Sequence, residues 1–288
     1  MTSLLSVRNL SKRYETFHLQ DVSFSLDQGF IMGFIGINGA GKTTTLKSML
    51  NMVHPDAGEV TILGRDFRMH EIELKKEIGV MLGDMDFYTK KKVGVLAEVV
   101  SRFYPNWDQS VYEDYCGRFN IDQNKRICEL SKGMKTKYTI AMALSHDARL
   151  LILDEPTSGL DPAARDDLLE IFQKLVEDGE KSILFSTHIT SDLEKCADFI
   201  TYIHEGRIVA STTKDEFLAA YRVVKGTRDQ LGAELKRNLI SCRVNEFGFS
   251  GLMESSDIAT FQDRGLNFEA PSLEDIMIYF AKQEHHDA

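Results

Sequence analysis

At 288 residues the chain is longer than one average domain and has room for one large or two modest ones. Apolar residues at 43% and charged residues at 27% make an ordinary globular balance, which excludes disorder over most of the length. The 34 basic and 44 acidic residues leave a net charge of −10, which argues against a general nucleic-acid binder, since that needs a basic face to displace counterions.

No stretch approaches the roughly 18 uncharged apolar residues of a membrane helix, and Met1 to Asp21 lacks the continuous apolar segment of a signal peptide. Cys116, Cys128, Cys196 and Cys242 form no C-x-x-C pair and have no histidines at metal-ligand spacing, so they read as reduced thiols. The expectation is a soluble protein of a reducing compartment.

In chain order, Leu4–Asn9 and Leu19–Leu26 alternate apolar and polar residues, as half-exposed antiparallel strands do, and Glu59–Leu63 repeats the pattern. Between them lie an apolar strand, Phe30–Ile35, and a helix, Lys42–Leu50. Gly79–Leu82 reads as a further strand. Residues 84–146 hold no convincing strand and read as a helical insertion that includes helices Val93–Phe103 and Lys132–Leu144. Leu150–Leu153, Ser182–Ser186 and Phe199–Ile203 are apolar runs suited to a parallel sheet buried on both faces. Helix Pro162–Val176 has Asp161 at its N-cap and proline at its first position. After Tyr221 the pattern changes. A helix at Asp229–Asn238, strands at Ser241–Val244 and Phe247–Leu252, and a final helix at Ser272–Gln283 predict a small α+β appendage. The expected division is residues 1–221 and 222–288, within an α/β fold class.

Directly after the Phe30–Ile35 strand comes Gly36-Ile37-Asn38-Gly39-Ala40-Gly41-Lys42-Thr43, which fits G-x-x-x-x-G-K-[ST]. Its glycines let backbone N–H groups converge on phosphate oxygens, and the helix starting at Lys42 adds its positive dipole end. Lys42 should reach the β- and γ-phosphates and the Thr43 hydroxyl should ligand Mg2+. Asp154, at the end of the Leu150–Leu153 strand, is placed to hold the metal's hydration shell, and Glu155 to orient or deprotonate an attacking water.

Further segments carry a resemblance. Leu130-Ser131-Lys132-Gly133-Met134 resembles the L-S-G-G-Q signature of ATP-binding-cassette (ABC) ATPases, and Asp154–Asp161 resembles that family's Walker B and D-loop. Ser186-Thr187-His188 is similar to its switch histidine, and Tyr14 stands where the family has an adenine-stacking aromatic. The resemblance covers about residues 3–221 and implies the ABC fold: a phosphate-loop core sheet, an antiparallel β subdomain and a helical subdomain. It implies ATP and Mg2+ as ligands, with Tyr14 and the run Asn38, Gly39, Ala40, Gly41, Lys42, Thr43 and Thr44 binding ATP. Thr43 and Asp154 would serve the metal, Lys42, Glu155 and His188 the chemistry, and Asp161 the D-loop. It also implies a second ATPase subunit, identical or paralogous, whose nucleotide Ser131 and Gly133 would grip in a head-to-tail dimer.

Two positions depart from the family. Gly83 falls where a glutamine is usual, with Asp84 beside it as a stand-in through water or a plain loop residue, and the signature carries Lys132 and Met134 for Gly and Gln. Phe103-Tyr104-Pro105-Asn106-Trp107-Asp108 is similar to a segment of exporter ATPases of Gram-positive bacteria, among them groups secreting phenol-soluble modulins and related cell-envelope transporters. Aromatic packing is the plainer reading. Lys90-Lys91-Lys92 reads as a solvated face or as a contact for membrane subunits or anionic lipid.

The leading expectation is the ATPase subunit of an exporter, cytoplasmic and peripheral on the inner face of the membrane. Its membrane-spanning permease would lie on a separate chain, and amphipathic or antimicrobial peptides are the cargo class the resemblance implies. Ala270–Asp275 resembles the tail of exporter-type subunits. A soluble cassette of DNA repair or translation is the alternative, but it usually carries two cassettes, a coiled-coil insertion or a basic surface. A GTPase is disfavoured, because the Asn124-Lys125 pair lacks the aspartate that reads guanine.

Overall fold

The computed structural model describes residues 3–83 and 88–283. The chain begins with strands β1 (Ser3–Arg13), β2 (His18–Asp27) and β3 (Ile31–Ile35), then helix α1 (Lys42–Met49). Strands β4 (Ala57–Ile62) and β5 (Arg65–Asp66), helix α2 (Glu71–Lys75) and strand β6 (Ile78–Met81) follow. Helices α3 (Val93–Ser101), α4 (Gln109–Arg118) and α5 (Lys132–Leu144) come next. The chain then alternates through β7 (Leu150–Asp154), α6 (Pro162–Val176), β8 (Ser182–Thr187), α7 (Thr190–Cys196), β9 (Phe199–His204), β10 (Arg207–Thr213) and α8 (Lys214–Ala219). The last elements are β11 (Tyr221–Gly226), α9 (Ala233–Arg237), β12 (Leu239–Val244), β13 (Phe249–Glu254), α10 (Ile258–Phe261), β14 (Asn267–Glu269) and α11 (Leu273–Gln283).

Strands β2-β1-β4-β5 form an antiparallel sheet whose alternation is the one the sequence shows: Leu5, Val7, Val22 and Phe24 are buried while Arg8, Asp21 and Ser23 are exposed. The central sheet runs β10-β9-β3-β8-β7-β6, all parallel except the edge strand β10. Every residue of β3, β7 and β8 is buried, and successive residues feed two different cores. Leu151, Leu153 and Phe185 meet α6 through Leu168 and Phe172, while Leu150, Ile152 and Leu184 join Leu46 and Met49 of α1 on the opposite face. Coverage on both faces is why these strands read as unbroken apolar runs.

Between β6 and β7 the described residues are helices, turns and one isolated bridge, Lys92 to Arg126. The Tyr138 hydroxyl of α5 donates to the Val93 carbonyl (3.0 Å) and ties α5 to α3. The aromatic segment at 103–108 is a packing and capping device. Tyr104 stacks on the buried His146 with ring centroids 3.9 Å apart, and Trp107 packs on Tyr112. The Asp108 carboxylate accepts from the Ser110 and Val111 amides and so caps α4. Lys90, Lys91 and Lys92 are exposed.

The last sheet runs β12-β13-β11-β14, antiparallel throughout. One face buries Val224, Leu235, Phe249, Met253 and Phe261. On the other, Val223 and Leu252 belong to the same core as the central sheet, because α11 folds back between them. The Phe280 ring lies 5.3 Å from that of Tyr202 in β9 and 5.8 Å from that of Tyr221, and the Leu273 amide donates to Glu194 of α7 (3.1 Å).

The structure differs from expectation in two places here. Asp229–Asn238 is not one helix: a short 3-10 turn, Arg228–Gln230, is held by the Gln230 side chain accepting from the Thr227 amide (2.7 Å), and α9 starts only after Gly232. β13 begins at Phe249 rather than Phe247. The Asn245 side chain accepts from the Phe247 and Gly248 amides and closes a turn there.

Candidate functional site

Strands β3, β8, β7 and β6 are consecutive neighbours and run in one direction, so the segments leaving their carboxyl ends share one edge of the sheet. Register sets those ends level: Ile35 pairs with Thr187, and Asp154 with Ser186. Open α/β sheets place their ligand crevices at such an edge.

The segment after β3 turns on Gly39 and Gly41, at φ 86° and 114°, with the Ala40 amide donating to the Ile37 carbonyl (3.2 Å). Gly41 is the N-cap of α1 and no side chain caps that end. The first-turn amides lack an intrahelical acceptor, which makes the turn an anion site in waiting. A Cβ on Gly36 would stand 2.5 Å from the Ile203 carbonyl oxygen. Gly36→Ala is therefore expected to cost about 1–3 kcal/mol, the usual overpacking penalty, in thermal or urea unfolding. An unchanged unfolding midpoint would mean that β9 yields and the close approach is not needed.

Lys42 is 6% exposed, and its ammonium donates to the Gly36 (2.7 Å) and Ile37 (3.3 Å) carbonyls. Its Nζ lies 3.9 Å from Glu155 Oε1. Burial pushes the Lys42 pKa down, and the neighbouring Glu155 and Asp154 carboxylates pull it back up. The Thr43 hydroxyl donates to Asp154 Oδ2 (2.8 Å), and the Ser186 hydroxyl donates to Asp154 Oδ1. A hydroxyl and a carboxylate held together form a hard-oxygen pair. That chemistry fits Mg2+, which takes one or two carboxylates and keeps waters and phosphates for its other positions. Among the described residues no three His, Cys, Asp or Glu side chains are grouped as a protein-only metal cage.

Glu155 has φ 54°, a left-handed conformation uncommon for a side chain of this kind and found where a site over-determines the backbone. Its amide donates to the Ser186 carbonyl (3.0 Å), and Oε2 meets Nδ1 of His188 at 2.8 Å. An ionised carboxylate only accepts, so Nδ1 carries the proton and Nε2 is left to face solvent or ligand. A cleft of about 470 Å3 beside this group is lined by Tyr14, Phe17, Asn38, Lys42, Thr43 and Glu155, with Gly39, Gly41 and Thr44 completing the loop side. Tyr14 is 44% exposed, so its ring is available for stacking.

The structure thus brings together Tyr14, Asn38, Gly39, Gly41, Lys42, Thr43, Thr44, Asp154, Glu155 and His188. Ala40 is buried, turned into the core. Ser131 caps α5, its hydroxyl accepting from the Met134 amide (3.2 Å), and does not line the cleft of its own chain. Gly133 packs beside Gly159, and Asp161 caps α6 by accepting from the Ala164 amide (2.9 Å). Gly83 has φ 71°, which suits glycine and would strain a glutamine in its place. Asp84 lies outside the described residues. Sequence reasoning missed Phe17, whose ring tip would stand 2.9 Å from a Cβ on Gly41, and Ser186 as a partner of Asp154. The first carries no motif. The second was signalled by the strand register alone.

A family model described as ABC transporter matches residues 19–158. A bacitracin transport ATP-binding protein of Bacillus licheniformis is 32% identical over 214 residues, 73% of this chain and 69% of the relative. The chain belongs to the ABC transporter ATP-binding family. A Nod factor export ATP-binding protein I of Burkholderia orbicola is 36% identical over 216 residues, 72% of the cassette chain and 69% of the relative. Among solved structures, an ATP-binding subunit of an ABC transporter superimposes with a TM-score of 0.68 at 30% identity, covering 74% of this chain and 91% of that one. The cassette is an ABC ATPase with the mixed α/β fold of its family. Among the described residues no helix is long and apolar enough to cross a membrane.

Proposed function

We propose that this chain is the Mg2+-dependent ATP-hydrolysing subunit of an exporter whose membrane-spanning subunits are separate chains, and that two cassettes close over two nucleotides. The convergence of Lys42, Thr43, Asp154, Glu155 and His188 at adjoining strand ends carries the reading. Exporter rather than importer is supported by a relative named for Nod factor export. Peptide-like amphipathic cargo remains the cargo class in this proposal, and the inner face of the membrane its place of work.

In this reading the loop amides and Lys42 hold the triphosphate, and Tyr14 stacks on the base. Thr43 and Asp154 hold the metal, which when bound offsets phosphate charge. Glu155 accepts the proton of the attacking water, and His188, fixed through Nδ1, presents Nε2 toward the terminal phosphate. Ser131 and Gly133 are the grip on the nucleotide of a second subunit, with Asp161 shaping the loop between the two sites. Residues 1–221 are the cassette. Residues 222–288 are the accessory unit, and its helix α11 braces the cassette through the Phe280 ring, which wedges between Tyr202 and Tyr221.

Affinity purification of the tagged chain from its native membranes tests this. Recovery of a polytopic membrane protein that raises ATP turnover is the expected result. Recovery instead with ribosomes or DNA, and with no membrane protein, would overturn the transport reading in favour of the soluble class.

A further inference from the structure

Along β7 and β8 the side chains of Ile152 and Leu184 are buried in the apolar core shared with α1. Side chains alternate along a strand, so two residues on the same face turns polar with Asp154 and Ser186, which are partners in register. Asp154 is 7% exposed and Ser186 not at all. A buried hydroxyl costs stability unless it is hydrogen-bonded, and an alanine would close an apolar strand without that cost. The serine is set apart from its apolar neighbours by the bonds it makes.

Those bonds reach both carboxylate residues of the site. The Ser186 hydroxyl donates to Asp154 Oδ1, while the Thr43 hydroxyl donates to Oδ2 (2.8 Å). A carboxylate held at one oxygen can swing about its last torsion, and one held at both is fixed. The Ser186 oxygens also take the Glu155 amide, which donates to Oγ (3.2 Å) and to the carbonyl oxygen (3.0 Å). That amide belongs to the residue held at φ 54°, whose carboxylate meets His188 Nδ1 at 2.8 Å. One residue of β8 thus holds the side chain of Asp154 and the backbone of Glu155 at once.

We infer that Ser186 is a positioning residue that couples the two carboxylates: its hydroxyl fixes the rotation of Asp154 for the metal and, through the Glu155 amide, the direction of the base. This rests on the reading of Thr43 and Asp154 as holders of the metal and of Glu155 as the base. With Oδ1 taken by Ser186, Oδ2 beside the Thr43 hydroxyl is the oxygen left for the metal. The hydrogen-bond partners of a metal-holding carboxylate orient it, and losing one costs roughly 10–100-fold in metal affinity or activity. Ser186 touches neither nucleotide nor metal in this scheme and acts only through its two neighbours. Removing its hydroxyl should therefore weaken metal use and slow the chemical step together, and leave metal-free nucleotide binding alone.

The test uses the full chain and compares Ser186→Thr with Ser186→Val. Both side chains are branched at Cβ and nearly equal in shape, so any crowding of β8 is common to the two and the hydroxyl is what separates them. Affinity for a non-hydrolysable fluorescent ATP analogue is measured in EDTA and at rising Mn2+, and ATP turnover at saturating Mn2+. In EDTA the two variants are expected to bind alike. The Mn2+ midpoint should be roughly tenfold higher for Ser186→Val than for Ser186→Thr, and its kcat roughly tenfold lower with KM unchanged. Ser186→Ala, which adds no bulk, should follow Ser186→Val, and its comparison with the unmodified chain decides the matter if β8 rejects both branched residues. Equal midpoints with and without the hydroxyl, or an equal loss of affinity in EDTA and in Mn2+, would overturn the inference. A raised midpoint with undiminished kcat would overturn the coupling to Glu155. If the unmodified chain gains no affinity from Mn2+, it is the reading of Thr43 and Asp154 that fails, and this inference with it.

Discussion

Glu155→Gln is expected to bind ATP as the unmodified chain does and to lose about 10²–10⁴-fold in turnover, the range a general base supplies. The backbone at Glu155 is held at φ 54° by the hydrogen bond its amide donates to the Ser186 carbonyl and by the turn in which the Ser158 amide donates to the Glu155 carbonyl (3.1 Å). Neither contact involves the carboxyl group, so the substitution leaves the loop in place. The new amide oxygen can still accept from His188 Nδ1. It cannot take a proton from water. With hydrolysis blocked and binding intact, the ATP-bound state should accumulate, and in the proposed dimer that state is the closed one. Phosphate release measures the first consequence, and an ATP-dependent shift to twice the mass in size-exclusion chromatography the second. Turnover at the unmodified rate would remove Glu155 as the base and leave His188 to be tested in the same way.

The parts legible in the sequence were those set by local chemistry. Helices α5 and α6 start and stop where expected because Ser131 and Asp161 write their N-caps, and Pro162 fixes the first position of α6. Strands β7 and β8 are apolar throughout because both faces are covered, and the phosphate loop follows β3 directly. What the sequence hid depends on distant partners. β10 and β14 are sheet-edge strands with no continuous apolar run, so nothing local marks them. The amphipathic end of the chain predicts a helix, but not that Phe280 would reach back to Tyr202 in β9. Gly83 shows the same limit from the other side. Its identity signals a missing glutamine, while the reason, a left-handed backbone at φ 71°, exists only in the folded chain.

Lys42→Ala should weaken ATP binding by roughly a hundredfold or more, because a buried cation facing phosphates is lost from a site where water does not replace it. The ammonium sits at 6% exposure between two carbonyls, and the nearest charges to it are anionic: Glu155 and Asp154 both favour its protonated form. Without Lys42, the Gly36 and Ile37 carbonyls lose their donor and the two carboxylates are left facing the incoming triphosphate, so the site changes from attractive to repulsive. Lys42→Arg should not repair this, since a planar guanidinium does not fit a pocket that holds a point charge between two carbonyl oxygens. The fold should survive, because alanine is the best residue for an early helical position and α1 keeps Leu46 and Met49 in the core. That separates binding from folding. A ligand that binds only the folded state raises stability by an amount set by its concentration over its Kd, so the unmodified chain should melt higher as ATP is added and Lys42→Ala should stay flat up to concentrations about a hundredfold higher. Calorimetric titration of ATP and ADP gives the same difference directly. An undiminished ATP-dependent rise in the melting temperature of Lys42→Ala would mean that the phosphates are held elsewhere, and the cradle after β3 would have to be given up as the nucleotide site.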